Sequence, residues 1–174
     1  MTENDLLIGC QKNDSSIQSL VYKTYGPKVF GICKRYMKSR ELAEEITMNT
    51  FLTVFQKCDQ FNNQGSFEGW ILKITVNCCL MELRKNNLQF DEIPHDKIAS
   101  PPANEIENQI ENQDIEKMLE ILPDSARIIF NLYAIEGYKH KEIAEKLNIS
   151  DGTSKSQLNY AREKLKKVYF NSTK

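Results

Sequence analysis

Two short amphipathic patterns, separated by a sharp turn, occupy residues 138–167 and set the tightest limit on the fold of this chain. In the first pattern, Ile143, Ala144 and Leu147 recur at helical spacing and predict one buried helix face. Asn148 follows, and asparagine tolerates the left-handed backbone conformation that a tight turn requires. The pattern therefore predicts a helix, a turn and a second helix in quick succession.

The second helix has two chemically different faces, and either Ser150 or Asp151 can cap its start. Its apolar stripe consists of Leu158, Ala161, Leu165 and Val168. Its polar stripe consists of Lys155, Asn159, Arg162 and Lys166. From Tyr138 to the C-terminus there are eight Lys and one Arg but only three Glu and one Asp, which gives a local net charge of +5. A basic second helix is typical of a helix-turn-helix that enters the DNA major groove.

Helical periodicity also dominates the rest of the chain, and Gly and Pro are sparse, with 7 and 5 residues. The alternation of β-branched residues that is typical of strands is absent, so we predict an all-α fold. In the N-terminal half we expect a first helix over residues 5–12 and a bend or boundary at Gly26-Pro27. We expect Ser39 to cap the helix that follows.

An acidic, proline-containing stretch divides the chain. Residues 91–124 hold ten acidic residues against two lysines, and residues 86–104 carry no helical stripe. We interpret this stretch as a flexible acidic linker between two small helical domains. The predicted division is a first domain over 1–88, a linker over 89–108, and a helix-turn-helix domain over 109–174.

Cysteine usage and hydropathy limit the chemistry and the compartment. The 5 cysteines form no Cys-x-x-Cys pair and lie far from both histidines, so we expect no metal and no cofactor. Buried free thiols suit a reducing compartment. No apolar run approaches the ~20 residues that span a bilayer, and the N-terminus lacks the features of a signal peptide. We therefore expect a cytoplasmic protein without membrane insertion.

Two helices of the N-terminal half carry polar faces whose role the residues alone leave open. The helix after Ser39 has an acidic and polar face, either a solvated surface or a contact: Glu41, Glu44, Glu45, Asn49 and Thr50. The helix from Phe67 to about Lys85 is expected to bury Ile71, Ile74, Cys78 and Met81. Its second face carries Trp70, Lys73, Asn77 and Arg84. An aromatic ring and cations in line suit single-stranded nucleic acid, but Trp70 could equally be a core residue.

Taken together, the two halves resemble the extracytoplasmic-function (ECF) group of the sigma-70 family, the small bacterial initiation subunits of RNA polymerase. The region 4 resemblance lies in LPDSARIIFNLYAIEGYKHKEIAEKLNISDGTSKSQLNYAREKL. The region 2.2 resemblance lies in RELAEEITMNTFLTVFQKCDQF. Regions 2.3 and 2.4 are similar to GSFEGWILKITVNCCLMELRK, including the family's Phe, Trp and Asn at Phe67, Trp70 and Asn77.

The resemblance implies three sets of contacts. In the family, region 2.2 docks on a coiled coil of the largest polymerase subunit, which implies core-polymerase contacts at Glu44, Glu45, Asn49 and Thr50. Regions 2.3 and 2.4 open the promoter −10 element and capture a flipped base, which implies contacts at Asn62, Asn63, Phe67, Trp70, Lys73, Asn77 and Arg84. Region 4 reads the −35 element, which implies contacts at Lys155, Ser156, Gln157, Asn159, Tyr160 and Arg162. Family members are often inhibited by an anti-sigma factor, a further candidate partner.

The sequence departs from the family at several of these positions. Met48-Asn49 replaces the usual Gln-Glu, and Gln157 and Tyr160 stand where the family has Arg. Ser154 replaces the usual Val. Because Gln pairs with adenine and Arg with guanine, we expect a different −35 preference.

Two other classes of protein are less compatible with the sequence. A stand-alone helix-turn-helix regulator would usually dimerise, and no coiled-coil heptad is present. A hydrolase or nuclease could use the adjacent Glu44 and Glu45, but neighbouring side chains on a helix diverge by about 100° and share one metal poorly. We therefore expect a non-enzymatic sigma factor that binds core polymerase and promoter DNA.

Overall fold

The computed structural model describes residues 2–85, 90 and 119–172, with side chains to residue 168 in the last helix. The chain divides into two compact units, Met1–Asn86 and Asn87–Lys174. All regular elements in the described ranges are helices, which confirms the predicted all-α fold with two domains. The predicted linker over 89–108 lies outside the described residues, apart from residue 90.

The N-terminal unit is a bundle whose three longer helices pack on one another. Its helices are α1 (Glu3–Gln11), α2 (Ser15–Tyr36), α3 (Arg40–Lys57) and α4 (Phe67–Lys85), with a 3-10 turn at Cys58–Gln60. α2, α3 and α4 contact each other pairwise, and α1 lies against α2. The core is apolar and includes Val21, Val29, Ile32, Ala43, Ile46, Val54, Ile71 and Val76. Among the cysteines, Cys10, Cys33, Cys58 and Cys79 are buried and Cys78 is half-buried, all as free thiols.

Side-chain caps define where these helices begin. The Thr2 hydroxyl accepts from the Asp5 N–H at 3.2 Å, and so α1 starts slightly earlier than predicted. The Asp14 carboxylate accepts from the Ser16 N–H at 2.9 Å at the start of α2. The Ser39 hydroxyl accepts from the Leu42 N–H at 3.2 Å, which confirms the predicted cap of α3. Each cap satisfies a backbone donor that the helix itself leaves without a partner.

Of the bend or boundary predicted at Gly26-Pro27, the boundary is wrong, because α2 runs through both residues. An interior proline costs about 3 kcal/mol, since it removes one backbone hydrogen bond and crowds the preceding turn. Val29 and Ile32, in the part of α2 after Pro27, are both fully or almost fully buried. Burying each such side chain contributes roughly 1.5–3 kcal/mol, so continuing the helix outweighs the proline.

The predicted inward face of α4 is also partly wrong. Ile71 is buried, but Ile74 and Cys78 are half-buried and Met81 is 58% exposed. The core side of α4 is instead formed by Phe67, Ile71, Thr75, Val76, Cys79 and Leu80. Thr75 can lie in the core because its hydroxyl donates to the Ile71 carbonyl at 2.9 Å. The predicted apolar stripe is therefore rotated toward Met81 relative to the face that is buried.

The C-terminal unit is organised around its last helix. α5 (Asp124–Phe130) continues as a π-helical turn over Asn131–Ile135. α6 (His140–Leu147) and α7 (Asp151–Ser172) follow, and both α5 and α6 pack against α7. Leu119 and Leu122, which precede α5, form one buried apolar cluster with Ala126 of α5 and with Ala161 and Leu165 of α7.

The turn between α6 and α7 has the predicted geometry. Asn148 has φ 54° and ψ 49°, the left-handed conformation that reverses the chain after α6. Of the two predicted caps, Ser150 is the one used, because its hydroxyl accepts from the Thr153 N–H at 2.9 Å. Leu158 is 1% exposed and Ile143 is fully buried, so the two helices meet through their apolar faces. The helix-turn-helix prediction is confirmed in its local geometry.

Candidate nucleic-acid interface

The outward stripe of α4 presents the combination of groups predicted from the sequence. Lys73, Asn77 and Arg84 are exposed, and Trp70 is half-buried. The Trp70 ring stacks on Phe67 with centroids 5.8 Å apart and an interplanar angle of 18°. Phe61 supports the same ring at 5.5 Å. Trp70 therefore belongs partly to the core and partly to the surface, so that a fixed indole lies one helical turn before the exposed Lys73, with Arg84 near the end of the same helix.

The loop before α4 is shaped by backbone conformations rather than by apolar contacts. Asn62 and Asn63 are both exposed, as predicted for contacts, and Asn63 has φ 58°. The Asn62 side chain accepts from the Gln64 N–H at 3.3 Å, and Gly65 adopts φ 92°. Ser66 then caps α4, because its hydroxyl accepts from the Gly69 N–H at 3.0 Å. The loop thus holds two exposed amide side chains close in sequence to the aromatic platform.

The prediction of Phe67 as a direct contact is wrong for this structure. Its side chain is 2% exposed and packs among Tyr25, Phe61 and Trp70. Phe67 is the first residue of α4, and its ring lies on the face of α4 that packs in the core of the bundle. Phe67 therefore supports Trp70 rather than contacting a ligand.

The polar face of α3 is exposed at three of the four predicted positions. Glu44, Glu45 and Asn49 are exposed, and Glu44 accepts from Arg40 Nε at 2.9 Å. Thr50 is 0% exposed, so the prediction of Thr50 as a surface contact is wrong. It follows Asn49 by 100° of helix rotation, which is enough to turn its small side chain into the core.

A partly apolar surface on α2 and α3 went unpredicted. Met48 is 62% exposed and Leu52 is 56% exposed, one helical turn apart on α3. Beside them is a groove of about 510 Å³, with a lining that includes Tyr22, Pro27 and Phe30 of α2. Large apolar side chains that cluster on a surface mark an interaction site. The i, i+4 spacing of Met48 and Leu52, outside the inward stripe, was the available sequence signal.

The outer face of α7 is the second charged surface. Lys155 is exposed, and Ser156, Asn159, Arg162 and Lys166 are half-buried. The Lys155 ammonium pairs with the Asp151 carboxylate at 2.5 Å, one turn earlier on the helix. Lys155, Asn159, Arg162 and Lys166 follow one line along α7, as predicted, and Ser156 lies beside that line.

Gln157, one of the predicted −35 contacts, lies on the inner face of α7. Gln157 is 3% exposed, and its Oε1 accepts from the Ser125 hydroxyl at 3.3 Å. Tyr160 is half-buried and packs against the apolar cluster that includes Leu122 and Ala161. Gln157 precedes Leu158 and lies one turn before Ala161, so helical spacing places it on the inner face. The prediction that Gln157 faces DNA is therefore wrong, and Gln157 gives no ground for an adenine preference. The contact of Tyr160 with DNA stays a prediction.

A polar cluster at the starts of α6 and α7 was also not predicted from the sequence. His140 Nδ1 lies 2.9 Å from Ser154 Oγ, and the imidazole stacks on Tyr133 with centroids 4.5 Å apart. The Arg162 guanidinium lies 5.5 Å from the centroid of the same Tyr133 ring. Burial lowers the pKa of His140, and Lys155 and Arg162 lower it further while Asp151 opposes them. The imidazole is therefore kept neutral near neutral pH.

The described residues contain neither a metal-binding group of side chains nor a membrane-spanning helix. Within 2–85 and 119–172, no group of three or more His, Cys, Asp or Glu side chains is arranged to hold a metal ion. No helix in the same ranges is long and apolar enough to cross a membrane.

Comparison with known proteins assigns both units to one family. Residues 21–89 match the family model for Sigma-70 region 2, and residues 112–165 match the one for Sigma-70, region 4. The chain is 28% identical to the ECF RNA polymerase sigma factor SigE of Mycolicibacterium smegmatis over 83% of this chain and 58% of that protein. It is 25% identical to the ECF RNA polymerase sigma-E factor of Escherichia coli K12 over 94% of this chain and 92% of the relative. It is also 25% identical to SigW of Bacillus subtilis over 90% and 91%.

Two solved structures share the fold. One is CnrH in complex with the cytosolic domain of CnrY, with a TM-score of 0.53 and 15% identity over 97% of each chain. The other is the sigma factor RpoE of Bartonella quintana in complex with the anti-sigma factor NepR. Its TM-score is 0.54, with 20% identity over 87% of this chain and 95% of that one.

Proposed function

We propose a division of labour between the two units of this chain, which belongs to the ECF group of the sigma-70 family of RNA polymerase initiation factors. As an ECF sigma factor, the chain binds core RNA polymerase and directs transcription from specific promoters. In our proposal the N-terminal unit binds the polymerase and the −10 element, and the C-terminal unit reads the −35 element.

The −35 contacts that we propose are the exposed and half-buried polar side chains on the outer face of α7. Lys155, Ser156 and Asn159 read base edges in the major groove, and Arg162 holds the phosphate backbone. The support is their common line on one helix that starts with a tight turn after α6. Lys155 exchanges its pairing with Asp151 for DNA, because an exposed ion pair contributes little stability.

The −10 contacts that we propose are the outward stripe of α4 and the loop before it. Trp70 stacks on an unpaired base, Lys73 and Arg84 hold phosphates, and Asn77 donates or accepts at a base edge. Asn62 and Asn63 of the loop contact the extruded nucleotide. Extruding a base costs a few kcal/mol, and stacking on an aromatic side chain contributes about 1–3 kcal/mol. Phosphate contacts supply the remainder, so this chain opens the promoter without making or breaking a covalent bond.

The polymerase contact that we propose is the outer surface of α3. Glu44, Glu45 and Asn49 form its polar rim, and exposed Met48 and Leu52 form its apolar centre. A buried apolar centre with a polar rim is the usual anatomy of a protein interface. The partner is the coiled coil of the largest polymerase subunit, and the chain works where the polymerase works, in the cytoplasm. An anti-sigma factor is a further candidate partner, since one structural neighbour was solved with one bound.

The half-exposed Trp70, fixed on Phe67 one helical turn before the exposed Lys73, carries the −10 part of the proposal. The test is initiation by bacterial core polymerase, with and without this chain, on a library of promoter sequences. We expect initiation at defined sites only with the chain present, and loss of it with Trp70→Ala. Lys57→Ala, an exposed lysine at the end of α3, is the matched control and keeps full activity. Tight duplex binding without binding to core polymerase would instead indicate a stand-alone regulator.

A further inference from the structure

His140 and Ser154 join the starts of the two helices of the helix-turn-helix. His140 is the first residue of α6, and Ser154 lies in the first turn of α7. The hydrogen bond between His140 Nδ1 and Ser154 Oγ measures 2.9 Å. Ser154 is 0% exposed, so water cannot replace the imidazole as the partner of its hydroxyl. A buried hydroxyl without a partner is unfavourable, and this bond therefore favours one arrangement of the two helices.

The same imidazole connects this bond to a third element. His140 stacks on Tyr133 of the π-helical turn, with an interplanar angle of 25°. Tyr133 also receives the Arg162 guanidinium over its ring at 5.5 Å. One continuous set of contacts thus runs from the first turn of α7, through α6 and the π-helical turn, to Arg162 in the fourth turn of α7. Both ends lie next to side chains that we assign to DNA, Lys155 and Arg162.

We propose that His140 is a positioning residue for −35 recognition, which sets the angle and register of α7 through its bond to Ser154. This inference rests on the proposed role of α7. Lys155 and Ser156 directly follow Ser154, so a small rotation of the first turn moves both away from their base edges. Contacts with phosphates tolerate such a shift better than contacts with bases, because phosphates position the protein without reading sequence. Loss of the bond therefore reduces selectivity more than it reduces general DNA affinity.

The experiment uses the full chain assembled with core polymerase. Its readout is the ratio of initiation on a promoter found in the library to initiation on the same promoter with a scrambled −35 element. The variants are His140→Ala, Ser154→Ala, the double variant, His140→Asn and His140→Gln. An Asn amide reaches the place of Nδ1, whereas a Gln amide reaches the place of Nε2. Thermal melting of each variant separates loss of folding from loss of selectivity.

We expect each alanine variant to lower the ratio about two- to tenfold, the range of one net hydrogen bond. The double variant should be no worse than the single variants, because both remove the same interaction. His140→Asn should restore selectivity and His140→Gln should not. Three results would overturn the inference while leaving the role of α7 intact. They are additive effects of the two alanine substitutions, equal selectivity of His140→Asn and His140→Gln, and an equal fall of initiation on the intact and the scrambled promoter. A wild-type ratio near one would refute the proposed −35 role itself.

Discussion

Replacing Trp70 with alanine should impair promoter opening far more than polymerase binding. The indole is held parallel to Phe67 and against Phe61, with centroids at 5.8 and 5.5 Å, so its orientation is fixed before DNA arrives. A stacked base loses about 1–3 kcal/mol when the ring is removed, which corresponds to roughly 5- to 140-fold in the equilibrium for the open complex. Trp70→Phe keeps a smaller platform and should lose less.

The assay is permanganate reactivity of unpaired thymines in the −10 element, measured with saturating core polymerase and each variant. Phe67→Leu is an informative partner variant, because Phe67 is buried and cannot reach DNA but supports Trp70. It should give a smaller opening defect than Trp70→Ala. Full opening with Trp70→Ala, at unchanged polymerase binding, would refute the assignment of Trp70 as the stacking platform.

Three further predictions test other parts of the molecule. Arg162→Ala should lower the slope of log affinity against log salt by about 0.9 for holoenzyme on promoter duplex, because one phosphate contact is lost; an unchanged slope would remove Arg162 from the backbone contacts. Pro27→Ala should raise the free energy of unfolding of the N-terminal unit by up to about 3 kcal/mol, since α2 regains an interior hydrogen bond. The measurement is a urea titration that follows the fluorescence of Trp70, the single tryptophan of the chain. A fall in the urea midpoint would contradict this prediction. The pKa of His140 in the folded chain lies below its usual value of about 6.5, so the native state binds fewer protons than the unfolded chain. The stability that the neutral imidazole contributes is complete above about pH 6.5 and is lost as pH falls. Thermal midpoints of the wild-type chain should therefore drop more steeply than those of His140→Asn between pH 7.5 and 5.5, and parallel curves would contradict the lowered pKa.

Local signals in the sequence predicted local structure well. Ser39 and Ser150 are caps in the structure because the chemistry of a short hydroxyl at a helix start needs no tertiary context. Asn148 adopts the left-handed turn for the same kind of reason. The apolar stripe of α7 was also predictable, since Leu158 and Ala161 fall at helical spacing with no competing apolar face.

The absolute orientation of each helix was harder to predict. Periodicity gives the angles between residues but leaves the centre of the buried face uncertain by about one residue, or 100°. Because of that uncertainty, Met81 was expected in the core but is exposed in the structure. Thr50 and Gln157 were expected at the surface but are buried. Polar residues misled the prediction most, because Gln157 finds a partner in Ser125 and so can enter the interior.

The continuation of α2 and the bond between His140 and Ser154 depend on contacts between distant residues. No local rule shows that burial of Val29 and Ile32 outweighs an interior proline. His140 and Ser154 are separated by 14 positions, and their pairing follows only once the turn brings two helix starts together. The replacement of Val by Ser154 was visible in the sequence, but its partner was not.

The most direct test of the proposed division of labour is a base-by-base profile of initiation. Every single-base substitution across the −35 and −10 elements of one responsive promoter would be measured with wild-type chain, with Lys155→Ala and with Trp70→Ala, all bound to core polymerase. Lys155→Ala should flatten the profile at −35 positions and leave the −10 profile unchanged. Trp70→Ala should do the reverse. Equal flattening of both elements by either variant would contradict the assignment of one element to each unit.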